Sequence, residues 1–318
     1  AAREVKYILK SPALKETFNF HGKALYLMGL LLDEGSPVAD RSIAETAGLI
    51  PYNSFMIVAV HRNDTTLIPN GDLQLMKNDL VYFVATEEGK DSVVEYAGKK
   101  TVRIKNLLVI GGSRTGKQIA LKLSKYYRIK LIDKDIERCN YLAKNIPDVQ
   151  IVCGDGTNIK LLEEEGLSTF DAIVSVTGNS ETNIFACLIA KDYGVRKAIA
   201  MVENTGLFDY TREMGIDTLI NKKMAAANYI FRYIIKGRFL THLYGVNARI
   251  QEFIVKQDSK AAHKPIRELN FPENNVISGA VRNGAGYITL GDFQLQAEDK
   301  VYVFSLPGSS PDISSFFN

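Results

Sequence analysis

Between residues 103 and 235, short apolar runs alternate with longer amphipathic stretches, and the connections between them are short. This pattern is typical of strands and helices that follow one another in turn. It predicts six strands, at 103–110, 129–133, 149–152, 171–176, 197–202 and 218–220, and five helices, at 117–127, 136–145, 159–165, 181–193 and 223–235. The strands are almost continuously apolar, as burial on both faces of a sheet requires. We therefore predict an α/β, Rossmann-like domain with a parallel sheet.

The segments on either side of this block contain short alternating strands separated by turn residues, and they resemble each other. Residues 71–82 and 291–302 are identical at seven positions, which include a Gly-Asp turn and a Gln-Leu strand. The pairs Arg62-Asn63 and Arg282-Asn283 occupy equivalent places upstream. A repeat in this order implies the duplication of a whole module. The central domain is therefore expected to be flanked by two smaller α+β domains.

The repeat also extends backwards, because residues 1–10 align with residues 226–235, which close the central block. We therefore interpret residues 1–20 as the last helix of a preceding nucleotide-binding unit that is absent from this sequence. The remaining predicted domains are the first small domain, the central domain and the second small domain, at 21–98, 101–235 and 236–318.

The turn from the first central strand into its helix is rich in glycine. It consists of Gly111, Gly112, Ser113, Arg114, Thr115 and Gly116. Glycine removes the Cβ atom that would collide with a ligand, so backbone N–H groups at the helix N-terminus can approach a pyrophosphate closely. This turn predicts a binding site for the phosphates of a nucleotide.

Asp133 ends the second central strand about twenty residues later, where the dinucleotide fold places the carboxylate that binds ribose hydroxyls. That carboxylate repels a 2′-phosphate, so it favours NAD or ATP over NADP. Lys134 beside it weakens this repulsion slightly. Asp133 also fits the N-terminal cap of the helix that follows, and this role is compatible with binding. The chain is therefore predicted to bind an adenine nucleotide.

Further polar residues follow the third and fourth central strands at the same edge of the sheet. We expect them around the nucleotide, and they are Asp155, Gly156, Thr177, Asn179 and Glu181. Asp155 is also explained as a turn aspartate. The segment after the fourth strand is equally well explained by helix capping through Ser180.

Four motifs in this order, together with the duplicated flanking modules, resemble the RCK (regulator of potassium conductance) family. The motifs are Val109-Ile110-Gly111, Ile132-Asp133-Lys134-Asp135, Gly154-Asp155-Gly156-Thr157 and the segment 176–183. The resemblance covers essentially the whole chain. It implies a cytoplasmic protein without catalysis that binds NAD⁺ or NADH, or ATP or ADP, in its dinucleotide fold.

The resemblance further implies a homo-oligomer, a dimer or a tetrameric ring, at the inner face of the plasma membrane. There the protein would couple nucleotide occupancy to the opening of a membrane potassium channel or transporter subunit. Two departures from the family pattern affect these expectations. Ser113 replaces the usual second glycine of the motif, and Met201 lies where relatives often carry an arginine. Arg114 occupies a position where ATP-binding relatives have an arginine, so it is a candidate phosphate ligand.

An NAD-dependent oxidoreductase is the main alternative. Such an enzyme needs a proton donor or acceptor and a substrate pocket that faces the nicotinamide. The flanking modules bring no convergent His, Lys or Tyr signature, so regulatory binding is favoured over catalysis. A third possibility is a ligand sensor in the small domains, at the repeated Arg62-Asn63 and Arg282-Asn283 turns, which a hairpin turn explains as well.

Nucleic acid and metal are not expected as ligands. The net charge of +3 is small, and the segment Arg41–Leu49 lacks a following basic recognition helix. The four histidines and three cysteines have no ligand spacing, and we interpret the cysteines as small apolar residues. Core packing and helix-mediated dimerisation explain an aromatic set formed by Tyr7, Tyr229, Phe231, Tyr233, Phe239 and Tyr244.

Overall fold

The computed structural model describes residues 2–10, 13–20, 24–51, 53–63, 65–99, 103–207, 210–211, 214–221, 223, 241–242, 248–306 and 313–318. The chain divides into two compact units. One unit contains residues 1–12 and 102–226, and the other contains residues 13–101 and 227–318. In the part of the chain covered by these ranges, no helix is long and apolar enough to cross a membrane.

The first helix, α1 (Ala2–Lys10), buries one apolar side. Val5, Ile8 and Leu9 are at most 3% exposed and belong to the core of the central domain. The predicted helix over residues 1–20 is too long, because Glu16–Phe20 forms a strand of the first small domain. Its alternating polar and aromatic residues have the period of two that suits a half-buried strand.

The first small domain is an antiparallel five-stranded sheet with two short helices. Its strands are β1 (Glu16–Phe20), β2 (Leu25–Leu31), β3 (Phe55–Arg62), β4 (Thr65–Leu67) and β5 (Leu80–Thr86), and its helices are α2 (Ile43–Thr46) and α3 (Lys90–Tyr96). The spatial order of the strands is β1-β2-β5-β3-β4. A bulge in β3 lies between Ile57 and Ala59.

The central domain is a parallel sheet of six strands. These are β6 (Asn106–Ile110), β7 (Arg128–Asp133), β8 (Gln150–Cys153), β9 (Ala172–Ser175), β10 (Lys197–Met201) and β11 (Thr218–Ile220). Among the described residues, the helices that connect them are α4 (Arg114–Leu123), α5 (Ile136–Asn145), α6 (Ile159–Glu164) and α7 (Ser180–Asp192). The order β8-β7-β6-β9-β10-β11 is that of the doubly wound dinucleotide fold. The direction of winding reverses between β6 and β9, and ligands bind at such a switch point.

The second small domain repeats the first. Its strands are β12 (Thr241–His242), β13 (Arg249–Ile254), β14 (Asn275–Arg282), β15 (Ala285–Tyr287) and β16 (Lys300–Ser305). Their order β12-β13-β16-β14-β15 matches that of the first sheet, and the bulge recurs between Ile277 and Gly279. The same strand order and the same bulge in both domains support the duplication that the sequence predicts.

The two small domains share a hydrophobic core. Phe20, Leu25 and Tyr82 of the first domain belong to the same buried cluster as Ile250 and Tyr302 of the second. The rings of Phe20 and Tyr302 stack with their centroids 4.8 Å apart. This shared cluster is consistent with the grouping of both small domains in one compact unit.

The repeated arginines are engaged inside each small domain. Arg62 donates from Nε and Nη2 to the two carboxylate oxygens of Asp79, at 2.7 Å each, and also to the Gln74 carbonyl. Arg282 donates to Asp299 and to the Gln294 carbonyl in the same way. These contacts favour the structural explanation of the Arg-Asn turns over a ligand site.

The predicted strands and helices of the central domain agree with the structure, with small differences at their ends. Helix α4 begins at Arg114 rather than residue 117, directly after the glycine turn. It ends at Leu123 and is followed by a turn, in which the N–H groups of Tyr126 and Tyr127 both donate to the Leu123 carbonyl. The predicted helix 223–235 and the aromatic residues from Tyr229 to Tyr244 lie outside the described residues, apart from Lys223.

Candidate functional site

A cleft of about 400 Å³ opens at the carboxyl ends of the central strands, where the winding of the sheet reverses. Four loops form it, those that follow β6, β7, β8 and β9. Its lining residues are Ile110, Gly111, Ser113, Ile132, Asp133, Lys134, Asp135, Arg138, Gly154, Asp155, Gly156, Thr157, Thr177, Gly178, Asn179 and Thr182. The structure therefore brings together in one cleft the segments that the sequence singled out.

Two glycines of the turn allow strand β6 and helix α4 to approach each other closely. Gly111 has a φ of +100°, which L-residues with a side chain rarely adopt. A Cβ atom on Gly116 would lie 1.8 Å from the Gly111 carbonyl oxygen, a distance that forces the backbone apart. Gly111 lines the cleft, whereas Gly116 acts from behind it by positioning the start of the helix.

Gly112 connects the turn to the acidic end of β7. Its N–H donates to Asp133 Oδ2 at 2.5 Å. A Cβ atom at this position would lie 2.5 Å from Leu142 and 3.1 Å from the same carboxylate oxygen. This hydrogen bond therefore joins the glycine turn, where phosphates are predicted to bind, to the carboxylate that is predicted to bind ribose.

Ser113 occupies the position where the family motif has its second glycine. Its φ of −58° is accessible to any residue, so this backbone does not require glycine. The hydroxyl lies 3.4 Å from the Val176 carbonyl and the residue lines the cleft. A hydroxyl group is therefore available beside the helix N-terminus.

Asp133 is the most enclosed carboxylate of the cleft, at 7% exposure. Oδ2 accepts the Gly112 N–H and, at 3.3 Å, a guanidinium N–H of Arg138. Oδ1 accepts the backbone N–H of Asp135 at 2.9 Å. An ionised carboxylate offers about four acceptor sites, so three donors leave capacity for a ligand hydroxyl.

Arg138 was missed in the sequence analysis. Its guanidinium also lies 3.4 Å from the Asp135 carboxylate, and its side chain is 44% exposed at the cleft. Asp135 caps helix α5 by accepting the N–H of Arg138, which fixes the first helical turn. An arginine three residues after a capping aspartate was the signal that could have found it.

Asp155 and Gly156 line the cleft in the loop after β8, as the sequence indicates. Asp155 Oδ1 accepts the backbone N–H of Thr157 at 2.9 Å and its hydroxyl at 2.7 Å. These hydrogen bonds, and more weakly the charge of Lys134, lower the pKa of Asp155. A Cβ atom on Gly156 would lie 2.3 Å from Ile110 Cγ2, so a glycine is needed for this loop to pack on β6.

The loop after β9 is held by Asn183, which the sequence analysis did not single out as a site residue. Asn183 is 1% exposed, and its Oδ1 accepts the N–H and the hydroxyl of Thr177 and the hydroxyl of Ser175. Its amide donates to the Met201 carbonyl at 2.8 Å. This network fixes Thr177 at the cleft.

The cap of helix α7 differs from the sequence interpretation. Asn179, rather than Ser180, accepts the N–H of Thr182 at 2.6 Å. The Ser180 hydroxyl instead accepts the N–H of Glu203. An asparagine in extended conformation directly before the helix satisfies its free N–H groups, and Ser180 is already the first helical residue.

Several predicted site residues do not line the cleft. They are Gly112, Arg114, Thr115, Gly116 and Glu181. Arg114, Thr115 and Glu181 lie in the first turns of α4 and α7, where side chains project outward from the helix and the backbone N–H groups have no partner within the helix. Met201 is 3% exposed and packs in the core of the sheet, so its side chain supplies no polar contact.

Metal binding has no support from the side chains. Among the residues that the structure describes, no group of three or more His, Cys, Asp or Glu side chains is arranged to hold a metal ion. The chemical repertoire of the cleft is that of carboxylates, hydroxyls, an amide, two cations and the start of helix α4, which suits the binding of a sugar and a phosphate.

Comparison with known proteins agrees with this architecture. The family model of the TrkA-N domain matches residues 107–222, and that of the TrkA-C domain matches residues 27–98 and 250–318. The Trk system potassium uptake protein TrkA of Azorhizobium caulinodans is 25% identical over 97% of this chain and 69% of its own length. A TrkA homologue of Methanosarcina mazei is 26% identical over 99% of this chain and 71% of its own length.

A solved structure has a similar fold. The GsuK channel bound to NAD superposes with a TM-score of 0.52 and 17% identity, over 96% of this chain and 56% of the channel chain. At this level of identity the likeness concerns the fold alone.

Proposed function

The chain belongs to the family built from TrkA-N and TrkA-C domains, and on that premise we propose that it is a nucleotide-sensing regulatory subunit of a potassium uptake system. In this proposal NAD⁺ or NADH occupies the cleft of the central domain, and ATP or ADP is the alternative ligand. The occupied and empty states differ in conformation, and this difference biases a membrane potassium channel or transporter of the Trk type.

The environment of Asp133 carries the proposal. Its carboxylate is 7% exposed, oriented by two backbone N–H groups and one guanidinium, and still faces the cleft. The dinucleotide fold binds ribose hydroxyls through a carboxylate at this end of its second strand. The start of α4 beside Ser113 offers the N–H groups that suit a pyrophosphate.

The nature of the ligand is supported by the shared fold of the GsuK channel that was solved with NAD. The partner is proposed from the names of the relatives, which are potassium uptake proteins of the Trk system. Assembly as a homo-oligomer, a dimer or a tetrameric ring on the inner side of the membrane, is part of the same proposal. We propose binding without turnover, since a regulatory subunit needs only a difference in affinity between its states.

Isothermal titration calorimetry of the full chain with NADH, NAD⁺, ATP and ADP tests the proposal. At least one of these nucleotides is expected to bind with one site per chain. Asp133→Ala is expected to weaken that binding about 10-fold to 100-fold, because a hydrogen bond to a charged group contributes about 1.5–3 kcal/mol.

Asp148→Ala is the matched control, since Asp148 is an exposed aspartate of the same domain that does not line the cleft. It is expected to bind like the wild type. If none of the four nucleotides binds at millimolar concentration, the regulatory proposal fails. Steady oxidation of NADH by a carbonyl substrate would instead favour the oxidoreductase.

A further inference from the structure

Two of the three cysteines lie at the same end of neighbouring elements beside the cleft. Cys139 in helix α5 is buried, and its Sγ lies 3.1 Å from the Asp133 carbonyl oxygen and 3.8 Å from the Val152 carbonyl oxygen. Its sulfur therefore sits over the seam between β7 and β8. Val152 directly precedes Cys153, which is exposed and ends β8.

The side chain of Cys153 faces the helix that carries Cys139. In the parallel register Leu131 pairs with Ile151 and Asp133 pairs with Cys153, so these four residues share one face of the sheet. Leu131 and Ile151 pack with Leu142 of α5 in one hydrophobic cluster. Cys153 therefore points to the α5 side, towards the sulfur of Cys139.

The two thiols have different environments. Burial, then a hydrogen bond and charge interaction with Cys153, raise the pKa of Cys139 to about 12. That interaction agrees with the closeness of the two sulfur atoms that the strand register indicates. Cys139 is thus a protonated thiol at neutral pH, while the exposed Cys153 is the thiol that an oxidant in solution reaches.

We propose that Cys139 and Cys153 form a redox modification site, in which a peroxide converts the dithiol into an intramolecular disulfide at the edge of the nucleotide cleft. A thiol that is exposed and next to a second cysteine is the arrangement found in redox-sensing proteins. The third cysteine, Cys187, is buried elsewhere in the domain, and it has no role in this chemistry.

The reaction balances with hydrogen peroxide as the oxidant. The thiolate of Cys153 attacks one peroxide oxygen, the O–O bond breaks, and the released hydroxide takes up a proton to give the first water. Cys153 is then a sulfenic acid. Cys139 gives up its proton as its sulfur attacks the sulfur of Cys153, the S–O bond breaks, and the leaving hydroxide takes up that proton to give the second water. Two thiols are oxidised, and one peroxide is reduced.

The disulfide is expected to change the cleft, because both cysteines adjoin residues that line it. Arg138 precedes Cys139 and contacts Asp133, and Gly154 and Asp155 follow Cys153. Joining the two sulfur atoms covalently is expected to draw α5 and the end of β8 towards each other. The expected effect on the nucleotide cleft rests on the proposed function, whereas the formation of the disulfide does not.

The first test treats the reduced full chain with hydrogen peroxide, alkylates the remaining thiols and maps the peptides by mass spectrometry. The expected product links Cys139 to Cys153, leaves Cys187 reduced, and returns to the dithiol with dithiothreitol. Cys153→Ser is expected to abolish the linkage, and Cys139→Ala is expected to leave a sulfenic acid on Cys153 that dimedone traps. A wild-type protein whose cysteines remain all reduced, or whose Cys153 is oxidised without linking to Cys139, would overturn the proposal.

The second test compares nucleotide affinity before and after oxidation. Loss of the Arg138 contact to Asp133, a partly exposed ion pair, is expected to weaken binding about threefold. Cys153→Ser should show no change on treatment with peroxide. A disulfide that forms without any change in affinity overturns the coupling to the cleft, while failure of the reduced protein to bind any nucleotide counts against the proposed function and leaves the disulfide standing.

Discussion

The small domains and the central domain each contain an aspartate bound by an arginine and a backbone N–H group, but they use it differently. Asp79 and Asp299 are 0% and 1% exposed, and each accepts two short hydrogen bonds from one guanidinium. A backbone N–H completes each site, from Met76 and Gln296 respectively. In the central domain Asp133 has a longer contact to Arg138, at 3.3 Å, and it lines a cleft.

The comparison distinguishes two kinds of ion pair. We call the enclosed pairs Arg62–Asp79 and Arg282–Asp299 sealed, and the pair Arg138–Asp133 at the cleft open. In the small domains the carboxylate is enclosed, at 0% or 1% exposure, and its three donors all come from the same domain, so the pair serves to stabilise the fold. In the cleft two of the three donors are backbone groups, and the arginine side chain is 44% exposed. The same chemical groups therefore give a structural element where they are enclosed and a candidate ligand site where they meet solvent.

The largest effect is expected when a sealed pair is broken. Arg62→Ala leaves the fully buried carboxylate of Asp79 without its counter-charge, and so does Arg282→Ala for Asp299. Removing one partner of a buried pair costs about 3 kcal/mol or more. We expect each variant to lower the free energy of unfolding by about that amount in urea titrations followed by circular dichroism.

The control for this prediction removes both charges together. Arg62→Met with Asp79→Leu avoids the isolated charge, and such replacements are often neutral. The double variant is therefore expected to be more stable than Arg62→Ala alone. A loss below 1 kcal/mol for both arginine variants would contradict the description of these pairs as sealed.

The order of strands and helices in the central domain could be predicted because its strands are continuous apolar runs and its helices have apolar residues at helical spacing. Helix α5 was predicted at residues 136–145, as found, since Asp135 before it is a capping residue and its apolar positions have helical spacing. Strand β1 was missed because it is only five residues long and follows closely after a helix in the sequence. Its place in the sheet depends on pairing with β2, which is a tertiary contact.

The candidate site could be predicted only in part for a similar reason. Asp133 ends one strand and Asp155 follows the next, so both stand out in the sequence. Arg138 lies five residues after Asp133, and its contact depends on how helix α5 turns back over the end of β7. The hydrogen bonds of Asn183 to the loop after β9 likewise appear only when strand, turn and helix are assembled.

Breaking the open pair is expected to have a smaller effect on stability. Arg138→Ala removes one donor from Asp133, but the backbone N–H groups of Gly112 and Asp135 remain. We expect the free energy of unfolding to fall by less than about 1 kcal/mol, the usual range for partly exposed pairs. Nucleotide affinity in calorimetry is expected to fall about threefold for the same reason.

Arg138→Lys sharpens this comparison, because lysine keeps the positive charge but lacks the planar fork that reaches Asp133 and Asp135 together. An intermediate affinity is expected. If Arg138→Ala destabilises the protein as strongly as Arg62→Ala, the open pair is structural after all, and the contrast between the two kinds of site disappears.

The smallest effect is expected at Asp155, which lines the cleft and is held by hydrogen bonds from Thr157 rather than by an ion pair with an arginine. Its pKa is lowered first by the backbone N–H of Thr157 and then by the Thr157 hydroxyl. Thr157→Val removes only the hydroxyl, so the pKa of Asp155 should rise part of the way back towards its ordinary value. An NMR titration of the carboxyl carbon measures this change, and Thr169→Val, a substitution away from the cleft, is the control.

The sign of the accompanying stability change follows from the direction of the shift. A carboxyl group with a lowered pKa in the folded state stabilises the protein above its unfolded pKa, and this contribution is lost as the pH falls through the folded value. Thr157→Val should therefore cost a few tenths of a kcal/mol at pH 7, since Asp155 is largely solvated. The cost should vanish once the pH lies below the folded pKa. A cost that persists in acid would mean that Thr157 stabilises the loop by packing rather than by orienting the carboxylate.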